Sequence, residues 1–281
     1  MMLAFIHIHK CGGSSLQELI RKNFRGRCQK EIELSPIRGL RKPDDLSVSI
    51  QQRGQSDGYI MGHFAYGVHQ LFQEECEYAT MLRKPKGRLV SLYRHAKVEP
   101  NAYYHHQAKV STFENFLTNG SVLEADNGMV RFLSGDAKES NMFINPKPFG
   151  TLDQSDLDRA IKNLESHIVA FGLLERFDES LLVFSQCIGL KKCCYTRINK
   201  TPSEVEIPDF DSSFTNLIAL DEILYHRAEE VFNERLRQYG LSDGKAVDEF
   251  RRKNARIQPW LKAVARSKYV AKGIGRRIIQ K

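Results

Sequence analysis

The chain has 281 residues, 41% of them hydrophobic and 27% charged, with a net charge of +8. That length supports a sizeable core and one domain, with or without a tail. The balance is ordinary for a globular protein, and the absence of a run of about 18 apolar residues excludes a membrane span. The charge is uneven. Residues 245–281 hold twelve Lys/Arg against two acids, whereas the first 244 hold 30 against 32. The expected organisation is therefore a domain over 1–244 and a basic tail over 245–281, and the positive charge says little about the core's ligand. Six cysteines (Cys11, Cys28, Cys76, Cys187, Cys193 and Cys194) form no C-x-x-C pair, so reduced thiols and no metal site are expected. Met1-Met2 runs into apolar sequence without a basic leader or cleavage site, which points to a cytosolic protein.

In chain order, Leu3–His9 reads as an apolar strand. It delivers Lys10 into Cys11-Gly12-Gly13-Ser14-Ser15, and Ser15–Phe24 reads as a helix. Strand, glycine turn and helix start make an anion cradle. The glycines let backbone N–H groups approach a ligand, Ser14 or Ser15 can cap the helix, and the unpaired helix donors face negative charge. Phosphate or sulfate fits such a turn. The lysine precedes the glycines, so this is not the loop G-x-x-x-x-G-K-S/T. Close packing of strand on helix is the plainer use of two glycines.

Gln29–Gly58 is polar and broken by Pro36, Gly39, Pro43 and Gly54, which predicts a long loop. A short strand, Tyr59–Gly62, leads to His63, a residue that titrates near the pH where general bases work. The strand Glu77–Leu82 ends at Arg83, and Pro85 opens a helix over Pro85–Lys97. Arg83 at a strand end and Ser91 two turns into the helix can converge on one phosphate, with the guanidinium supplying the fork. Singly, each reads as an ordinary surface residue. Val98–Ser111 reads as irregular and rich in aromatic residues and histidine. Helices follow at Thr112–Thr118, Asp126–Leu133, Asp153–Ser166, Glu179–Ile188 and Phe214–Tyr239, with strands at His167–Gly172 and Cys194–Ile198. In the last helix Leu217, Leu220, Leu224, Ala228, Val231 and Leu236 recur at helical spacing. The alternation predicts an α/β fold of three layers, a central mostly parallel sheet flanked by helices.

The motifs resemble those of sulfotransferases that use 3′-phosphoadenosine 5′-phosphosulfate (PAPS), in particular the heparan-sulfate 2-O/6-O type and its bacterial relatives. Phe5–Leu16 (FIHIHKCGGSSL) is similar to their 5′-phosphosulfate loop, roughly F-I/L-H-I-x-K-T-G-G-T/S-T/S-F/L, with Cys11 where threonine is usual. Leu82–Tyr93 (LRKPKGRLVSLY) resembles their 3′-phosphate segment L-R-D/N-P-x-x-R-x-x-S-x-Y, with Lys84 in place of the acid or amide. Gly62-His63, twenty residues before Arg83, resembles the segment that carries their proposed base. Asp126–Gly135, Ala170–Leu182 and Ile198–Thr201 resemble three further family segments. The likeness spans roughly residues 3–240 and leaves Gln29–Gly58 and the Tyr103 region unmatched.

The resemblance implies the nucleotide-kinase-like sulfotransferase fold, PAPS as donor, no metal, and transfer to a hydroxyl of a glycan or glycolipid. It implies that Lys10, Cys11, Gly12, Gly13, Ser14, Ser15, Arg83, Ser91, Asn199, Lys200 and Thr201 bind the donor. His63 would act as base and Lys10 would balance charge on the leaving phosphate. His7 would orient the loop, and His9 has no family counterpart. Two separate anion pockets, at Lys10 and Arg83, would grip opposite ends of the nucleotide. His69, Tyr103, Tyr104, His105 and His106 are candidates for an acceptor groove, though exposed loop residues explain them equally.

Two other classes stay open. A kinase or other nucleoside-triphosphate enzyme would need a carboxylate for Mg²⁺ after a strand, and no strand end offers a clear one. A basic binding protein with an inactive nucleotide fold rests on the tail alone. In that tail Trp260, Val264, Ala271, Ile274 and Ile278 fall near one helical face among lysines and arginines. Such a segment can lie on an anionic membrane at the inner face, or stay solvated or docked on its own domain. Nucleic acid is not the expected partner.

Overall fold

The computed structural model describes residues 2–24, 32–34, 58–71, 75–135, 147–196 and 214–261. Five strands form one parallel sheet in the order β2-β3-β1-β4-β5. They are β1 (Met2–Ile6), β2 (Ile32–Leu34), β3 (Gly58–Gly62), β4 (Cys76–Leu82) and β5 (Ile168–Leu173). A parallel sheet covered on both faces needs strands that are apolar throughout rather than alternating. β1, MLAFI, is buried at every position.

Helices cover both faces, and β5 shows how. Neighbouring strand residues point to opposite faces. Phe171 packs on Phe232 of one helix, while a Cβ on Gly172 would meet Ser180 of another. The helices are α1 (Gly13–Asn23), α2 (Pro85–Val98), α3 (His105–Val110), α4 (Phe113–Thr118), α5 (Gly128–Leu133), α6 (Gln154–Ser166), α7 (Phe177–Ile188), α8 (Thr215–Gln238) and α9 (245–261). Local chemistry sets several boundaries. Pro85 stands at the first position of α2, Thr112 caps α4, Asp153 and Asp156 form a reciprocal capping box on α6, and Gly189 ends α7 in the left-handed region.

Some predicted elements differ. β2 lies inside the predicted loop Gln29–Gly58, most of which is outside the described residues. Three residues bordering a neighbouring strand carry too weak a pattern to be seen in sequence. α3 forms within the stretch predicted to be irregular. Of the predicted strand Cys194–Ile198, residues 194–196 are not in a strand and 197–198 lie outside the described residues.

The main core surrounds the sheet. A second cluster under α2, α3, α4 and the start of α8 is built on Leu89, Tyr93, Phe113, Phe116 and Phe214. It props α2 beside the sheet's carboxyl edge. At β1 the strand order reverses: β1 has β3 on one side and β4 on the other. Crevices open at such switch points in parallel sheets.

α9 is docked on the domain. Val247 and Phe250 are buried, Arg251 pairs with Asp178 at 2.9 Å, and Asn254 accepts from the Tyr195 backbone N–H at 3.1 Å. The remaining tail, 262–281, lies outside the described residues.

Candidate active site

After Ile6 the chain runs off the carboxyl end of β1 through His7-Ile8-His9 to Lys10. Lys10 has φ 67, a left-handed value that costs a non-glycine residue energy. Gly12, at φ 81, is the residue from which α1 starts. α1 thus begins at Gly13, two residues before the predicted start. The expectation that Ser14 or Ser15 stands at the N-cap is corrected: both are in the first turn, and the N-cap is Gly12, which has no side chain to cap with. No acid occupies the turn either, so the dipole at this end favours an anion, while the Ser15 N–H donates to the Gly12 carbonyl at 3.2 Å. The side chain of Ser14 lies outside what is described. Gly13 is sterically required, because a Cβ there would overlap the His7 imidazole.

Cys11 points inward and is buried. Burial pushes its thiol up to about 12, against the lowering effect of the nearby Arg88 and Arg83. The side chain at this position faces the core, so exchanging threonine for cysteine leaves the backbone cradle intact.

β4 lies beside β1 and also ends at this edge. The Arg83 guanidinium lies against the loop and donates from Nη1 to the Lys10 carbonyl at 3.0 Å. The Arg83 side chain thus touches the backbone of the Lys10 loop, because neighbouring strands are only about 4.8 Å apart. Arg83 Nε is buried without a hydrogen-bond partner and lies over Gly87, where a Cβ would come within 3.4 Å of it. Ser91 is one turn further along α2, half-buried. Burial first, then Arg83, lowers Lys10 to about 8. Two partly buried cations side by side favour an anion between them.

His63 follows β3 at the same edge. Its Nδ1 is 2.6 Å from the His7 carbonyl. A carbonyl only accepts, so Nδ1 carries the proton and Nε2 keeps its lone pair. Burial, then His9 and His7, lowers the His63 pKa well below 6.5, and the ring is neutral at neutral pH. His9, which sequence reasoning left without a role, stacks on His63 with centroids 3.4 Å apart and 7° between planes. Its Nδ1 stands 3.0 Å from Oε1 of Glu124, a carboxylate 1% exposed whose Oε2 has no hydrogen-bond partner.

Two groups at this edge escaped the sequence reading. His95 sits on α2, one turn beyond Ser91. Burial, followed by Lys10, lowers it to about 4. The spacing Arg88, Ser91, His95 was the available signal. Glu124 had none, since a single acid in a polar stretch is unremarkable. Beneath them Arg88, fully buried, donates from Nη2 to the Glu124 carbonyl at 2.8 Å and pairs with Asp221 at 3.3 Å. Asp221 also accepts from the backbone N–H groups of Met129 and Val130. This clamp joins α2, α5 and α8 and places Glu124.

The acceptor candidates scatter. His69 bonds the Tyr78 hydroxyl at 2.7 Å, four residues and about 13 Å before the end of β4, away from the loop. His105 is tied through Nδ1 to the Ala96 carbonyl at 2.8 Å, a packing role. Tyr104 is buried; burial, then Glu124, raises its pKa. Tyr103, 51% exposed, packs edge-on against it, and His106 is exposed. Asn199, Lys200 and Thr201 lie outside the described residues. Among the described residues no group of three or more His, Cys, Asp and Glu side chains is arranged to hold a metal ion.

No protein-family model matches this sequence, and no curated protein matches it. Among solved structures, mouse sulfotransferase SULT7A1 complexed with PAP aligns over 88% of this chain and 87% of that chain. The identity is 16% and the TM-score 0.40, an overlap too loose to argue from.

Proposed function

We propose that this chain transfers a sulfuryl group from PAPS to a hydroxyl, with a carbohydrate or glycolipid as acceptor. The observation that carries the reading is the meeting of three groups at one edge of the sheet. These are the Lys10–Ser15 turn, the Arg83 guanidinium bonded to it, and the neutral His63 imidazole at the end of the neighbouring strand. The residues suit a doubly anionic nucleotide: a helix that starts from a glycine, a lysine and a partly buried arginine whose Nε is unpaired.

In this reading the first-turn N–H groups of α1 and Ser15 hold the 5′ end of the donor. Arg83 and Ser91 hold the second phosphate, and Asn199, Lys200 and Thr201 are assigned to the nucleotide by motif alone. PAPS supplies the activated sulfuryl group. Lys10 places positive charge where the leaving phosphate gains negative charge, and fixed donors of this kind usually supply the largest catalytic term. His63 Nε2 takes the acceptor's proton, a role worth about 10²–10⁴-fold.

Thermal-shift titration tests the reading directly, because a ligand bound only by the folded form raises Tm. Adenosine 3′,5′-bisphosphate should raise Tm without metal, and Arg83→Ala should weaken that effect. A shift with Mg²⁺-ATP and none with the bisphosphate overturns it.

A further inference from the structure

α9 has two different sides. Val247 and Phe250, 4% and 7% exposed, pack on the domain. One and two turns later Asn254 and Gln258 bond the backbone of Tyr195. At spacings of three and four these residues share one face of the helix, and that face is committed to the body. Arg252, Lys253, Arg256 and Trp260 are exposed. Trp260 is 65% exposed and is the chain's only tryptophan. The remaining sequence, 262–281, adds seven Lys/Arg and no acid.

The position of α9 gives this surface a direction. Arg251 pairs with Asp178 at the start of α7. Three residues earlier, Glu175 accepts the backbone N–H of Lys84, next to Arg83. The middle of α9 therefore lies beside the carboxyl edge of the sheet, where Lys10, Arg83 and His63 gather.

We propose that Arg252, Lys253, Arg256 and Trp260 dock the protein on an anionic phospholipid surface, with the carboxyl edge of the sheet close to the bilayer. Indole rings settle at the headgroup level, where one end of the ring is apolar and the other wet. Cations beside the ring meet lipid phosphates. A nucleic-acid duplex would account for the cations alone, since its stacked bases offer the indole no face. Because Val247 and Phe250 are turned inward, α9 cannot bury an apolar face as a free amphipathic helix does. The attachment is electrostatic with a single indole anchor, so it is reversible and sensitive to salt.

The test uses the full chain with vesicles of neutral phosphatidylcholine, or of phosphatidylcholine rich in phosphatidylglycerol. With one tryptophan in the chain, indole emission reports position 260 alone. The expected result is co-sedimentation and a blue shift with anionic vesicles, neither with neutral ones, and about a hundredfold weaker partition for R252E/K253E/R256E with Tm unchanged. Charge reversal is preferred to truncation after 244, which would uncover the core under Val247 and Phe250. Equal binding to both vesicles, binding without an emission shift, or wild-type binding by the triple variant each overturns the proposal. An emission change with duplex DNA and none with vesicles also overturns it and assigns the face to nucleic acid.

Discussion

At the scale of single residues, the site depends on charge states set by burial. His63 donates from Nδ1 to the His7 carbonyl, so its Nε2 is ready to accept a proton without prior deprotonation. His63→Ala should lower kcat by about 10²–10⁴-fold while leaving the affinity for adenosine 3′,5′-bisphosphate close to wild type. The check is PAP release with a hydroxyl acceptor, paired with a binding titration, and near-normal turnover removes the assignment. Lys10 gives a pH signature. Its pKa lies at about 8 rather than 10.5, so the free protein loses this positive charge as pH rises through about 8. Bisphosphate affinity should fall above that point, by up to about tenfold per pH unit. Lys10→Met should bind more weakly at neutral pH and show no such step. Calorimetric titrations on either side of pH 8 decide it.

At the scale of elements, the Arg88–Asp221 clamp carries the most weight. Asp221, 0% exposed, accepts from Arg88 and from the first turn of α5. Removing one partner of a buried pair strands the other charge, at a cost of about 3–5 kcal/mol. Asp221→Ala should therefore lose a large share of a typical domain's stability, whereas breaking an exposed pair such as Arg227–Glu230 should cost far less, because solvent screens it. Urea unfolding of both variants measures the contrast, and equal small losses would show that the clamp is not structural. Most of these elements were legible in the sequence. α8 follows from its leucine spacing and α2 from Pro85. β2 and α3 were not, since three and six residues are too few for a period to declare itself.

At the scale of the whole molecule, three imidazoles sit together in a site that suppresses their charge. Burial is the largest cause for each: His7 lies at about 3, His95 at about 4, and His63 well below 6.5. The unfolded chain takes up protons near pH 6.5 and the folded one does not. The imidazole contribution to stability is therefore full above that pH and falls as pH drops toward the folded values, by about 1.4 kcal/mol per pH unit for each of the deeply buried His7 and His63, while the half-buried His95 adds less because solvent screens it. Chemical unfolding at neutral pH and at about pH 5, before most carboxylates titrate, should show the loss. His7→Gln should reduce it by the His7 share, and an unchanged midpoint would mean that the rings are already hydrated in the fold.

The sequence alone determined the parts whose cause is local. An apolar run makes β1, a glycine pair opens the turn after Lys10, a proline starts α2, and the alternation of strands and helices specifies a parallel sheet. The tertiary structure decided what depends on strand neighbours distant in sequence. Because β1 pairs with β3 on one side and β4 on the other, it brings Lys10, His63 and Arg83 to one edge. It also stacks His9 on His63, and sends His69 and His105 elsewhere. Side chains from different elements meet only through strand order and helix packing, and spacing along a chain carries no record of either.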